Sequence, residues 1–260
     1  MKILVIHGSM RRGKTHALTK DVMNRLSSKP GIEFREISVA DLNLPFCTSC
    51  HVCFKLGEER CPNYAAYRDV YTALQECDGV ILSGVTYMWS INAAMKNLLD
   101  HLSFNFHRPR MFGKRGMVIA TSSGAGERSV AKYLKTVLGQ WGVNGAVVLT
   151  RNTKEESLIS QGKLDAKVER ACEKFYSQLV SDRTIPPSLR SIAVHNAFRS
   201  MALSASCEYD RDAEFWRQAG YADRAYPVKA GLKYIAGAAV FALARQTTKV
   251  LEKKVRRDRK

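Results

Sequence analysis

KILVIHGSMRRGKTH, residues 2–16, joins an apolar run to a basic loop that contains two glycines. Lys2–His7 is a short, nearly continuous apolar run, the pattern of a strand covered on both faces. A loop of small and basic residues follows. Beyond it, Leu18, Val22 and Leu26 recur at helical spacing. A strand that leads through glycines into a helix N-terminus makes an anion site. The first-turn amides there have no intrahelical partners, and the helix dipole presents positive potential. The loop is therefore expected to hold a phosphate, and the question is which nucleotide carries it.

Working outward, strand and helix signals alternate through the first 180 residues. GIEFREISV, DGVILSGVTY, RGMVIATSSG and NGAVVLT read as four further strands. THALTKDVMNRLSSK, YAAYRDVYTALQEC, INAAMKNLLDHLSF, RSVAKYLKTVLGQW and LDAKVERACEKFYSQLV read as helices. Five strands separated by helices imply an α/β fold, a doubly wound parallel sheet with right-handed crossovers. The order 2-1-3-4-5 is expected, which brings the loops after the first, third and fourth strands together. TIPPSLR breaks the pattern, since paired prolines interrupt helix and sheet bonding alike. Residues 1–182 are read as one domain and 183–260 as a basic, mostly helical C-terminal extension.

Two nucleotides compete for the first loop. Gly8, Gly13, Lys14 and Thr15 spell G-x-x-x-x-G-K-T, the loop of nucleoside triphosphatases. That chemistry also needs a magnesium ligand, usually an Asp closing an apolar strand. GVILSG, MVIATS and AVVLT all end without one. Asp78 precedes its strand, and Asp41 follows a weak one. A monophosphate asks for less: hydroxyls, amide donors and one or two cations, all present in GSMRRGKT.

With Gly8, Ser9, Arg11, Gly13 and Thr15 in place, the loop resembles the G-S-x-R-x-G-x-T of the NAD(P)H-dependent FMN reductase family of flavodoxin-like proteins. The resemblance implies that Ser9, Arg11, Lys14 and Thr15 contact the FMN phosphate around Gly13. His16, opening the helix, is placed to touch it. DGVILSGVTYMWSINAAMKNLLDHLS is similar to the family's second loop at Asp78, Tyr87, Ser90, Lys96 and Asp100, although Val85-Thr86 stands where Pro-Val is usual. Val85, Thr86, Tyr87, Met88 and Trp89 are the implied contacts of the ribityl chain and ring. Lys96 and Asp100 are better read as an i,i+4 helix pair. TSSGAGE, residues 121–127, resembles the third loop, where Ser122, Ser123, Gly124 and Ala125 let backbone N–H groups approach the isoalloxazine. The implied activity is hydride or electron transfer through FMN with NAD(P)H as reductant. Such chemistry needs no protein acid, base or nucleophile, so no catalytic residue is assigned.

Four cysteines crowd one segment: Cys47, Cys50, Cys53 and Cys61, spaced C-x-x-C-x-x-C-x7-C. Clustered thiols in a chain without an export signal point to metal or redox chemistry rather than disulfides. The tight spacing suits a [4Fe–4S] cluster better than zinc, which prefers two separated knuckles. It also resembles the compact cysteine motif of the iron–sulfur flavoprotein branch of this family. Free thiols in a dimer-interface loop are the alternative. The acidic Glu58-Glu59 within the segment does not favour an anionic cluster.

The formal charge is +17, and residues 183–260 contribute 16 Lys/Arg against 7 Asp/Glu. A basic surface invites nucleic acid or anionic lipid, but solvated lysines and a bound anionic cofactor account for it more simply, and no nucleic-acid partner is expected. The tail GLKYIAGAAVFALARQTTKVLEKKVRRDRK could form an amphipathic helix that packs on the protein or touches a membrane surface. No apolar run is long enough to cross a bilayer. With a strand beginning at Lys2, no signal peptide is expected and the cytoplasm is the default location. Flavin and nicotinamide nucleotides, a small electron acceptor and a homodimeric or homotetrameric partner are the expected associations.

Overall fold

The computed structural model describes residues 1–204, 207–220 and 226–228, and beyond those 239, 242, 243 and 246. Five parallel strands form the sheet: β1 (Lys2–His7), β2 (Glu33–Ser38), β3 (Gly79–Tyr87), β5 (Arg115–Ser122) and β6 (Val147–Asn152). Their spatial order is β2-β1-β3-β5-β6, the anticipated 2-1-3-4-5 arrangement. A two-residue strand, β4 (Ser90–Ile91), adds to β3 antiparallel, pairing Thr86 with Ile91 and Tyr87 with Ser90. The registers are regular, with Ile3 opposite Phe34 of β2 and Gly79 of β3.

Alternation along β1 divides the core. Leu4 and Ile6 pack with Tyr67, Val70 and Leu74 of α3 (Tyr64–Glu76), Met95 and Leu98 of α4 (Ala93–His101), and Val130 and Leu134 of α6 (Glu127–Trp141). Ile3 and Val5 face the other way, onto Leu18, Val22 and Leu26 of α1 (Lys14–Ser27) and Val168 and Phe175 of α8 (Gln161–Leu179). Period-2 side chains on a two-sided sheet require this division. The apolar run of β1 is thus explained by burial on both faces. β2, an edge strand, carries no fully buried side chain.

Three short helices have no strong sequence signal: α2 (Val52–Lys55), α5 (Phe104–His107) and α7 (Thr153–Leu158). The anticipated single helix over residues 91–104 is therefore two, separated at Leu102-Ser103. Beyond the prolines, α9 (Leu189–Ala202) opens with Ser188, whose side chain accepts from the Ser191 amide, and α10 (Asp210–Gln218) follows. Among the described residues, no helix is long and apolar enough to cross a membrane. The basic tail from residue 231 onward, read above as an amphipathic helix, lies outside the described residues apart from the isolated positions.

Candidate functional site

The loop after β1 is shaped by close approach. The Gly8 amide donates to the Ser83 carbonyl at 2.9 Å, and a Cβ on Gly8 would stand 2.3 Å from that oxygen. Ser9 is buried; its hydroxyl donates to the Arg11 carbonyl at 2.8 Å, which folds the loop back on itself. Gly13 precedes α1 without a side-chain cap, leaving the first-turn amides at Lys14, Thr15 and His16 to a ligand or water. Arg11 and Lys14 are exposed. Lys14 is not idle: its Nζ lies 2.5 Å from Glu156 Oε2 on α7. His16 stacks loosely on His7 at 4.8 Å. Burial, then the neighbouring His7, Arg12 and Lys20, holds the His16 pKa below its ordinary value. His7 itself is a buried strand residue, 2.8 Å from Glu36 through Nε2.

The three predicted loops meet. Thr15 Oγ1 of the first touches Thr121 Oγ1, at the foot of the third, at 2.6 Å. The third meets the second at Gly126 (φ 98°), where a Cβ would lie 2.8 Å from Thr86 Cγ2 and 3.4 Å from Trp89 Cα. Ser122 donates to Glu127 Oε2 at 2.6 Å, and Asn152 Nδ2 donates to Oε1 at 3.0 Å. Burial would raise the Glu127 pKa, but these two bonds outweigh it and hold the carboxyl below its usual range. Glu127 thus clamps the third loop to the end of β6. Ser123, Gly124 and Ala125 stand exposed, and a Cβ on Gly124 would meet nothing within 4 Å.

The second loop is a two-residue hairpin joining β3 to β4. Both central residues, Met88 (φ 46°) and Trp89 (φ 64°), are left-handed. This is the geometry of a type I′ turn, which favours Asn-Gly. An L-residue there costs about 1–2 kcal/mol, and strain of this kind is characteristic of ligand clamps. The hairpin also exposes what a stable fold would hide: Met88 is 95% and Trp89 69% accessible. Thr86 Oγ1 beneath it is buried with no partner. An uncapped helix start, a strained aromatic hairpin and an orphaned hydroxyl at the carboxyl ends of three adjacent strands fit a phosphorylated ring compound. Val85 lies half-buried at the base of this hairpin, and Tyr87 is exposed beside the turn. Lys96 and Asp100 form the simple helix ion pair.

The cysteine segment is different. All four thiols are free, with Cys47 and Cys50 exposed and Cys53 and Cys61 half-buried. Among the described residues, no three His, Cys, Asp or Glu side chains are gathered as a metal site. Four thiolate-forming groups on one segment are nevertheless the donor set that an iron–sulfur cluster takes. Ser49 (φ 54°) and His51 (φ 60°) hold left-handed backbone in this segment. Burial pushes the Cys53 thiol up to about 12, against the lowering effect of Arg108. His101 Nε2 donates to the Pro45 carbonyl at 2.9 Å, which turns Nδ1 toward Cys61 Sγ at 4.0 Å. Asn97 on α4 accepts from the Cys47 amide and donates to the carbonyls of Leu44 and Pro45.

Beneath the segment lies a buried charge network that sequence reasoning missed. Arg108, fully buried, donates to Asp212 of α10, to Glu58 at 2.6 Å and to the Cys53 carbonyl at 3.0 Å. Arg110 and Tyr71 also bind Glu58, and His107 Nδ1 lies 2.6 Å from Asp212. Burial would raise the Glu58 pKa; Arg108, Tyr71 and Arg110 bring it down to about 2. Phe54 stacks on His107 at 4.2 Å, and Tyr209 reaches His51 at 3.1 Å. The acidity anticipated from Glu58 is therefore neutralised internally, and Asp212 and Tyr209 brace the cysteine segment.

Residues 1–154 match the family described as NADPH-dependent FMN reductase. The sequence is similar to an iron–sulfur flavoprotein of Archaeoglobus fulgidus, 25% identical over 228 residues, 85% of this chain and 100% of the relative. It is 31% identical over 134 residues to an iron–sulfur flavoprotein of Methanocaldococcus jannaschii, covering 50% of this chain and 68% of that one. In structure, an apo NADH:FMN oxidoreductase superposes with a TM-score of 0.55 at 22% identity, over 71% of this chain and 94% of that one. An FMN-dependent NADH-azoreductase of Bacillus anthracis, solved with FMN, gives 0.52 at 13% identity, covering 70% and 100%. Both share the fold.

Proposed function

The chain belongs to the NADPH-dependent FMN reductase family, and from that premise we propose that its three convergent loops hold one FMN and pass electrons from a nicotinamide nucleotide to a small acceptor. The observation that carries this reading is the convergence itself, through the Thr15–Thr121 contact and the Gly126–Trp89 approach. Arg11 and the first-turn amides of α1 bind the phosphate, with Ser9 and Thr15 ordering the loop beneath it. Lys14 exchanges Glu156 for the phosphate. Val85–Trp89 flank the ribityl chain and ring, and the Ser122–Ala125 backbone meets the ring edge. FMN, when bound, supplies a ring that accepts hydride and releases electrons. The protein places it and needs no acid or base of its own. Titrating flavin-free protein with FMN tests the assignment. Saturable fluorescence quenching is expected, and its absence refutes the reading.

The four cysteines favour a second reading, since two relatives are named iron–sulfur flavoproteins. Here Cys47, Cys50, Cys53 and Cys61 hold a [4Fe–4S] cluster beside the flavin site, and residues 183–260 serve as an extension of the 1–182 flavin unit that braces this segment. Iron and labile sulfide in anaerobically purified protein decide it; stoichiometries near zero remove the cluster. The exposed apolar groups Phe46, Met88 and Trp89 suit coverage by a second copy of the chain.

A further inference from the structure

A cleft of about 440 Å³ opens beside the flavin loops, between the segment after β2 and the start of α4. Val39, Leu42 and Phe46, from the segment after β2, line it together with Met10, Tyr87 and Asn92. No charged side chain among the described residues lines it. The wall is pinned, because Asn97 ties the Leu44 and Pro45 carbonyls and the Cys47 amide to α4. The cleft therefore exists before any ligand arrives, and its size is that of a small-molecule pocket.

Asn92 is the anomaly. It occupies the N-cap position of α4, where Asn ordinarily accepts from a first-turn amide, yet it makes no cap hydrogen bond. It is 2% exposed, and neither Oδ1 nor Nδ2 has a partner. Burying an amide unsatisfied is destabilising, so a partner for both atoms is missing. The requirement is specific. One acceptor and one donor must sit side by side on a planar group, with an apolar body to fill the walls.

We propose that Asn92 reads the amide edge of a ring ligand in this cleft, its Nδ2 donating to the ligand carbonyl and its Oδ1 accepting from the adjacent ligand N–H. The first-turn amides of α4 add positive potential at the carbonyl. Among the ligands of the proposed function, two carry such an edge: the nicotinamide carboxamide and the imide of a flavin. Met10 and Tyr87 belong to both the cleft and the flavin loops, so this deepens the proposed function and rests on it for the choice of those two ligands.

The test uses the full chain, flavin-free and FMN-loaded, and the variant Asn92→Leu, which removes both unpaired atoms at similar volume. Nicotinamide is compared with 3-acetylpyridine, which keeps the carbonyl and lacks the N–H. If nicotinamide is the ligand, the wild-type chain prefers it at least tenfold and N92L abolishes the preference, with Tm held or raised. If the flavin edge is the ligand, N92L instead weakens FMN at least tenfold. An unchanged nicotinamide preference together with unchanged FMN affinity overturns the proposal, as does a lowered Tm with no change in binding. Ala94→Phe fills the cleft and leaves Asn92 in place; it should block the same ligand, and it decides the matter alone should N92L not fold. A wild-type chain that ignores FMN defeats the proposed function, while the nicotinamide arm on flavin-free protein still judges the cleft.

Discussion

The phosphate loop, residues 7–16, and the cysteine segment, residues 47–61, are held in place by different means. The first is set by the sheet: β1 aims it, Gly8 meets the Ser83 carbonyl of the neighbouring strand, and Ser9 closes on Arg11 two residues away. Its cations point outward and contribute little to the fold. The second depends on distant groups. It has two short helical turns, Val52–Lys55 and Glu58–Arg60, and left-handed residues at Ser49, His51 and Gly57, and its position comes from Arg108 and from Asp212, which lies 104 residues beyond Arg108. A loop that leaves an interior strand is pre-organised by the regular sheet beneath it, whereas a segment without a strand behind it needs a buried anchor. Damage should therefore separate: stability from the cysteine segment, ligand affinity from the loop.

The largest effect is expected at the anchor. Arg108→Met removes the buried cation that Glu58 and Asp212 share, leaving Glu58 only Arg110 and Asp212 only His107 as basic partners, at a cost of about 3–5 kcal/mol, read by urea denaturation. Cys53 should label faster with a thiol reagent in the variant, while the folded fraction still binds FMN. Equal losses of both functions would break the distinction.

Acid probes the same network. A carboxyl held below its unfolded value stabilises the fold above that value and loses the contribution as pH falls. For Glu58 the window runs from 4.5 down to about 2, and the term is roughly 3 kcal/mol. Stability measured across this range should fall in the wild type and flatten in Glu58→Gln, beneath a lower starting value.

At the loop, Arg11→Ala should weaken FMN roughly ten- to hundredfold, the range of a charge-assisted hydrogen bond, with Tm almost unmoved. Affinity that survives intact would take Arg11 out of the phosphate site. The smallest effect is at the hairpin. Trp89→Gly relieves left-handed strain and should stabilise by roughly 0.5–1 kcal/mol, yet bind FMN less well. If it stabilises without loss of affinity, the strained turn has no part in ligand binding.

The legible parts of the molecule were those with local causes. β1 announced itself because burial on both faces demands an unbroken apolar run, and Gly13-Lys14-Thr15 because a helix start lies behind it. The short strand β4 and the left-handed Met88-Trp89 turn were hidden, since neither residue has the chemistry that such a turn prefers. Arg108, Glu58, Asn97, His101 and Glu127 were also missed. Each acts on a partner that only the fold brings near, and no spacing in the chain encodes Arg108 beside Asp212. Glu58 was read with Glu59 as negative charge beside the cysteines, because Arg108 and Arg110 come near it only in the fold. The cysteine spacing was plain, but spacing alone does not gather four thiols.

Titration of the flavin-free chain with FMN, followed by flavin fluorescence, bears most directly on the central claim. Quenching should saturate at one FMN per chain in the wild type and in the fraction of Arg108→Met that remains folded, and shift to much higher FMN in Arg11→Ala. No quenching in the wild type, or equal affinity in wild type and Arg11→Ala, would contradict a flavin phosphate held at residues 9–16.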